Sequence, residues 1–317
     1  MAGLCQPIKS LPCKLLYDAA GADLFERITE VEDYYLTRAE HALLAAELPA
    51  IAALVGPRAR VIEPGSGAGK KTRMLLGALD RVATYVPIDV SADQLADNAL
   101  ALRAEFPGLE VLPVLGDYTQ EIEMPGSARP HEQTVVFFPG STIGNFEPDA
   151  ARRFLKRLAA LAGPGAMLLL GADANGNRDE LLRAYDDSEG VTAEFDLNVL
   201  AHVNRTHAAT FDLDQFMHRA VWNAARSRIE MHLVSKRAQT VKVGDATFTF
   251  ARGEPIVTEH CYKHSPDALA QILRDSGWTV TRTFADSAQR MRLWLATITS
   301  PRLRGAEKLA EISARSK

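Results

Sequence analysis

Residues 63–69 read Glu63-Pro64-Gly65-Ser66-Gly67-Ala68-Gly69, directly after the apolar run Arg60-Val61-Ile62 and before a helical pattern that starts near Lys71. A strand, a glycine-rich turn and a helix in that order bring main-chain N–H groups to a helix N-terminus, where a cofactor can lie against backbone. Glycine serves there because a Cβ would collide with the ligand. About 26 residues after Glu63, Asp89 ends a second strand pattern, Pro87-Ile88-Asp89-Val90, where a carboxylate can accept both hydroxyls of an adenosine ribose. Gly116-Asp117-Tyr118 ends a third and offers a carboxylate and a ring for the edge and face of an adenine. Three successive strand ends with such groups specify far more than a glycine motif alone.

Two rival cofactors, both phosphate-bearing, fit poorly. The dinucleotide pattern G-x-G-x-x-G needs a third glycine where this chain has Lys70, and a Walker loop needs glycine and a hydroxyl where it has Pro64 and Lys71. Pro139-Gly140-Ser141-Thr142-Ile143-Gly144-Asn145-Phe146 follows the fourth strand pattern, at the sheet edge where a substrate is expected. Gly140 and Gly144 permit close approach, and Asn145 carries an acceptor and two donors suited to an amino acid's ammonium or carboxylate. The segment Thr258-Glu259-His260-Cys261-Tyr262-Lys263-His264 holds metal-ligand types, but strand alternation points His260 away from its neighbours and no second cluster completes a shell, so no metal is expected. The context of Ser141 lacks the G-x-S-x-G elbow of a serine hydrolase.

The elements that must carry these residues alternate. Strand patterns at 60–62, 85–88, 110–114, 134–138 and 166–170 are separated by helical patterns, among them 91–105 and 148–162, which implies a buried, mostly parallel sheet. Helices are also expected at 22–29 and 41–54. After Gly171 the pattern changes: a helix around Leu181, Leu182 and Tyr185, a helical stretch over 213–225, then strands at 228–235, 240–243 and 247–250, the last two joined by the hairpin signal Gly244-Asp245. A helix at 266–276 and strands at 278–284 and 291–297 resume the first pattern, and residues 302–317 read as a short helix or a frayed end. The expected organisation is a Rossmann-like α/β sheet domain, 41–174 with 263–317, and a smaller α+β domain, 1–40 with 175–262, made of the N-terminal segment and an insertion.

With 317 residues and 47% hydrophobic content the chain can bury one or two cores. Its formal charge of −4 and the absence of a basic stripe disfavour nucleic acid. No apolar run reaches the ~20 residues of a membrane span, and the start has no secretory pattern. Cys5, Cys13 and Cys261 match no zinc or disulfide spacing and read as thiols. A cytoplasmic protein with a small-molecule partner, bound to neither membrane nor nucleic acid, is expected.

With those residues in view, the chain resembles the L-histidine Nα-methyltransferases of ergothioneine biosynthesis, which trimethylate histidine to hercynine with S-adenosylmethionine. The resemblance runs through Leu16-Tyr17-Asp18-Ala19-Ala20-Gly21-Ala22-Asp23-Leu24-Phe25, Tyr34-Tyr35-Leu36-Thr37-Arg38, Gly140 to Asn145, Ala184-Tyr185-Asp186-Asp187, Arg228-Ile229-Glu230-Met231 and Thr258-Glu259. It implies a class I methyltransferase sheet plus a second, substrate-binding domain, with histidine held between them, in a monomer. S-adenosylmethionine would lie on Glu63, Gly65, Ser66, Gly67, Lys71, Asp89, Asp117 and Tyr118. Tyr34, Asn145 and Tyr185 would hold the amino and carboxylate groups beside Gly140, and Tyr34 and Asn145 would orient the nitrogen for transfer. Tyr17, Met231, Glu259 and Cys261 would surround the imidazole, with Glu259 accepting a ring N–H. The family commonly has serine where this chain has Cys261, a weaker hydrogen-bonding group.

Three alternatives stay open at this point. The first is Nα-methylation of tryptophan or tyrosine through a changed wall at 259–261. The others are a non-catalytic S-adenosylmethionine-binding partner and a nicotinamide-dependent oxidoreductase.

Overall fold

The computed structural model describes residues 2–298; the expected terminal helix at 302–317 lies outside the described residues. Its contacts divide into two compact units: residues 2–39, 142–147 and 173–264, and residues 40–141, 148–172 and 265–298.

The first unit contains the short strand β1 (Lys9–Ser10), helix α1 (Ala19–Glu30) and the start of α2 (Tyr35–Val55). Asp18 caps α1 by accepting the N–H of Gly21 at 2.9 Å, so the helix begins three residues earlier than its apolar periodicity shows. Helix α6 (Arg178–Tyr185) is followed by α7 (Val191–His207), whose Val, Thr, Asn and His residues give it modest intrinsic helix propensity. Tertiary packing supplies what propensity lacks. Val191, Phe195, Val199 and Val203 form a buried stripe at helical spacing, and the Asp187 carboxylate accepts the N–H groups of Val191 and Thr192 at the helix start.

The stretch 213–225, expected to be helical, is instead a 3-10 turn followed by strand β8 (Phe216–Asn223). Phe216, His218 and Ala220 are buried while Met217 and Arg219 are exposed, and this period of two outweighs the helical reading. β8 pairs antiparallel with β9 (Arg228–Ser235), β9 with β12 (Pro255–Tyr262), and β1 adds to β12 in parallel, giving the sheet order β1-β12-β9-β8. β10 (Gln239–Val243) and β11 (Ala246–Phe250) form the expected hairpin, with Gly244 at a φ of 57° in its turn.

In the second unit, β2 (Ala59–Pro64), β3 (Thr84–Asp89), β4 (Glu110–Val111), β5 (Val114–Leu115), β6 (Gln133–Phe138), β7 (Met167–Asp173), β13 (Trp278–Ala285) and β14 (Met291–Ile298) form one sheet of order β13-β14-β7-β6-β2-β3-β4, with β5 also on β3. The expected third strand is split into β4 and β5. Pro113, which has no N–H for the ladder, lies in the gap. The β2–β3, β2–β6 and β6–β7 pairs are parallel. Ile62, Val86 and Ile88 are fully buried among Leu112, Val114 and Tyr118, as a sheet covered on both faces demands. Helices α3 (Lys70–Ala78), α4 (Ala92–Glu105), α5 (Pro148–Ala162) and α8 (Pro266–Asp275) accompany the strands. The chain leaves β2 for β3 on one side and returns to β6 on the other, so the carboxyl ends of β2 and β6 border the switch point where α/β sheets bind ligands, with the end of β3 beside it.

Close packing also explains Gly171 on β7. A Cβ there would stand 1.8 Å from Oε1 of Glu40, whose carboxylate accepts the Gly140 N–H at 2.8 and 2.9 Å and pairs with Lys71. Gly171→Ala is therefore expected to lower stability by roughly 1–3 kcal/mol, read as a fall in melting temperature. An unchanged melting temperature would show that Glu40 can withdraw freely.

Candidate functional site

The glycine turn lies between β2 and α3. Gly65, Gly67 and Gly69 have φ values of 72°, 49° and 71°, the left-handed region that glycine adopts without penalty. The Gly65 N–H donates to the Ile88 carbonyl at 2.7 Å and the Gly67 N–H to Asp89 Oδ2 at 3.2 Å, which ties the turn to the end of β3. Asp89 Oδ1 accepts the N–H groups of Val90 and Ser91 at 2.7 and 3.1 Å, so its carboxylate is held in one orientation. A Cβ on Gly65 would come within 3.2 Å of the Tyr118 ring, whereas one on Gly67 would meet nothing within 4 Å. Tyr118 thus leans over the turn, supported by the Phe138 and Phe154 rings, and the backbone at Gly67 faces open space. Asp117 Oδ1 accepts the N–H and the hydroxyl of Thr119, at 2.9 and 2.5 Å. A bare backbone cradle, a fixed carboxylate at the β3 end and a ring beside Gly65 fit an adenosyl cofactor.

Two of the cofactor candidates carry structural bonds. Glu63 is buried, and its Oε2 accepts the hydroxyls of Thr72 and Tyr85 at 2.7 and 2.6 Å, joining the turn to α3 and β3 from below. Burial pushes its carboxyl up to about 7 against those bonds. Lys71 is paired with Glu40, a residue that nothing local in the sequence marks.

The amino-acid candidates are grouped in the other unit, with one exception. Gly140, at a φ of 84°, belongs to the sheet unit, whereas Tyr17, Tyr34, Asn145, Tyr185, Met231, Glu259 and Cys261 all belong to the first. Residues 142–147, which strand alternation assigns to the sheet domain, pack in the first unit against β12. A Cβ on Gly144 would lie 2.7 Å from the Tyr262 carbonyl oxygen, so only glycine lets this turn approach the strand. Asn145 Nδ2 thereby donates to Glu259 Oε1 at 3.0 Å. Glu147 anchors the same turn from its other end, accepting from Arg228 at 2.6 Å and from Tyr262 Oη at 2.5 Å. Met231 stands opposite Glu259 across the β9–β12 ladder, beside a bulge between Val257 and Glu259. Tyr34 and Tyr185 meet edge to face with centroids 6.2 Å apart. The Tyr17 ring contacts Phe25 at 5.7 Å and Phe195 at 5.5 Å, two aromatics that sequence reasoning did not single out.

Cys261 Sγ lies 2.8 Å from Tyr185 Oη. Beneath them is a buried polar layer that residue spacing along the chain does not assemble. Lys263 pairs with Asp173 at 2.8 Å, Asp173 accepts the Tyr35 hydroxyl at 2.7 Å, and His218 bridges Asp196 Oδ2 and the Tyr185 carbonyl at 2.7 and 2.8 Å. With an acceptor at each nitrogen the His218 ring is favoured in its doubly protonated form; burial works to lower its pKa, but the Asp196 carboxylate, the Tyr185 carbonyl and the Asp186 charge together raise it. Lys263 sits inside the quoted segment 258–264. Asp173 ends an apolar strand, a position that could have drawn notice.

Burial, reinforced by the Asp196 charge, pushes Glu259 up to about 8, so its carboxyl is protonated at neutral pH. Between the unfolded value of 4.5 and about 8 the folded chain holds a proton that the unfolded chain has lost. Stability from this group is therefore complete below the lower value and is lost as pH rises through the upper one. Glu259→Gln, which imitates the protonated carboxyl, is expected to flatten the fall of melting temperature between pH ~5 and ~8. Equal slopes for variant and wild type would show that Glu259 titrates normally. Glu63 contributes a slope of the same sign that this variant leaves in place.

Comparison with known proteins places the chain in one family. The model of the family described as "Histidine-specific methyltransferase, SAM-dependent" matches residues 1–298. A histidine N-alpha-methyltransferase of Mycolicibacterium smegmatis is 42% identical over 301 residues, 93% of this chain and 92% of that one. Ergothioneine biosynthesis protein 1 of Neurospora crassa is 34% identical over 200 residues, 62% of this chain and 23% of the fungal one. Among solved structures, an S-adenosylmethionine-dependent methyltransferase from Clostridium acetobutylicum superposes with a TM-score of 0.50 at 10% identity, over 88% of this chain and 99% of that one, and shows the class I methyltransferase fold. The strand order, the glycine cradle and the match along residues 1–298 lead to one conclusion: the chain belongs to the histidine-specific, S-adenosylmethionine-dependent methyltransferase family.

Proposed function

We propose that this protein trimethylates the α-nitrogen of L-histidine to hercynine with S-adenosylmethionine, the first step of ergothioneine biosynthesis. The observation that carries the substrate is the convergence, within one unit, of Asn145 on the buried Glu259 with Met231, Tyr185 and Cys261 around them. Family membership and the names of the relatives support the same substrate. In this reading the sheet unit is the cofactor domain and the first unit the substrate-binding domain. The enzyme is a cytoplasmic monomer acting on a free amino acid.

S-adenosylmethionine, when bound, supplies a methyl on an activated sulfonium, and Glu63 to Lys71, Asp89, Asp117 and Tyr118 would hold it. The remaining task is placement of a neutral amine. Tyr34 and Asn145 orient the α-nitrogen, and burial among Tyr34, Phe25 and Tyr185 disfavours the ammonium and so eases loss of its proton. Glu259, already an acceptor for Asn145, accepts a ring N–H through a carboxyl oxygen. Tyr17, Met231 and Cys261 complete the wall around the imidazole.

Incubation with S-adenosylmethionine and each of the twenty amino acids, followed by mass measurement, tests the reading. Three methyl groups gained by histidine alone is the expected result. Methylation of tryptophan or tyrosine in its place would reassign the substrate, and no methylated amino acid would sink the proposal.

A further inference from the structure

We propose that Lys263 is a positioning residue of the amino-acid site: its ammonium sets the Tyr185–Cys261 pair as a hydrogen-bond donor, so that the pair takes the ligand's carboxylate and rejects its ammonium. The inference rests on the functional reading above. Lys263 Nζ lies 2.8 Å from Asp173 Oδ2, 2.9 Å from Tyr185 Oη and 3.4 Å from Cys261 Sγ. An ammonium has three hydrogens and no lone pair, so these three partners engage all of them.

The position of Nζ is over-determined. Asp173 is held by the Tyr35 hydroxyl on Oδ2 and by the Asn175 N–H on Oδ1 at 3.0 Å, and both side chains of the ion pair are at most 1% exposed. A buried ion that lost its partner would be strongly destabilising, which keeps the two together. The pair is neutral as a whole, but its positive end faces Tyr185 and Cys261, and Nζ also stands 4.7 Å from the Tyr185 ring centroid.

Counting hydrogens gives the consequence. Tyr185 Oη and Cys261 Sγ are 2.8 Å apart, so one of their two hydrogens lies between them, and each already receives a hydrogen from Lys263. With the Cys261 thiol donating to Tyr185 Oη, the Tyr185 hydroxyl hydrogen remains for the ligand's carboxylate, and Cys261 keeps its place beside the imidazole. Charge decides in the same direction. A ligand ammonium on Tyr185 Oη would share that oxygen with a cation 2.9 Å away, whereas a carboxylate is attracted by it.

The test is calorimetric titration of the full chain, with S-adenosylhomocysteine present, against L-histidine and against histamine, which lacks the carboxylate. Lys263→Met is expected to weaken histidine about 30-fold, the loss of one charge-assisted contact, while histamine stays within about threefold and S-adenosylhomocysteine binds as before. The double variant Lys263→Met/Tyr185→Phe should bind histidine no more weakly than Tyr185→Phe alone, because Lys263 acts through that oxygen. If Lys263→Met does not fold, Lys263→Gln is read in its place; it keeps an N–H donor without the charge, and its smaller loss should again fall on histidine alone. An unchanged ratio of histidine to histamine affinity in the folded variant, equal losses for both, or fully additive effects in the double variant would overturn the inference while leaving the function intact. A wild-type chain that does not bind histidine would overturn both.

Discussion

Asp89→Ala is expected to reduce S-adenosylmethionine affinity by more than a hundredfold. Its carboxylate ends β3 beside the glycine turn and would accept two ribose hydroxyls, and hydrogen bonds to a charged group contribute about 1.5–3 kcal/mol each. The same carboxylate accepts the Gly67, Val90 and Ser91 N–H groups, so its removal also frees the turn that would face the cofactor. Calorimetry with S-adenosylhomocysteine measures the loss. Asp89→Asn should recover part of it, because one amide oxygen remains as an acceptor. Tight binding by the alanine variant would mean that the ribose lies elsewhere on the sheet edge. Melting temperature should move little by comparison, since Asp89 lies at the end of its strand and Glu63, not Asp89, ties the turn to α3.

Asn145→Ala is the second large effect, on the other ligand. Histidine affinity is expected to fall by at least about a hundredfold with cofactor affinity unchanged, because the variant loses the group that would hold the amino-acid end and also leaves a buried Glu259 oxygen without its donor. The second consequence separates this site from a surface asparagine. Glu259 would lose a hydrogen bond to its oxygen in an environment that already favours the neutral carboxyl. Titration with histidine in the presence of S-adenosylhomocysteine checks the first effect and a melting curve the second. A variant that binds histidine like the wild type would remove Asn145 from the substrate site.

The cofactor candidates and the amino-acid candidates differ in how far they could be read in advance. Gly65, Gly67, Asp89, Asp117 and Tyr118 sit on consecutive strand ends within a few tens of residues, and each strand–turn–helix step is a local pattern. Their grouping follows once the sheet is parallel. Asn145 and Glu259 are 114 positions apart, on a turn and a strand whose pairing requires a glycine, Gly144, that fits under the Tyr262 carbonyl. Resemblance to a family named both residues, but no spacing rule joins them. Sequence periodicity was also misleading beside the site. It read 213–225 as helix where a period of two, buried against neighbouring strands, forms β8, and it passed over α7 although Val191, Phe195, Val199 and Val203 recur at helical spacing among residues of weak helix propensity.

Taken by itself, the sequence determined the sheet architecture, the glycine turn with its acidic strand ends and the types of side chain available to a substrate, since these depend on short-range order and composition. Only the tertiary structure decided the charges. Glu259 is neutral because burial and Asp196 make it so, Lys71 is taken by Glu40, and the Lys263 ammonium is held by Asp173 against Tyr185 and Cys261. Protonation and hydrogen-bond direction depend on how deeply a group is buried and on what stands within about 4 Å of it, and neither quantity is carried by residue spacing along the chain.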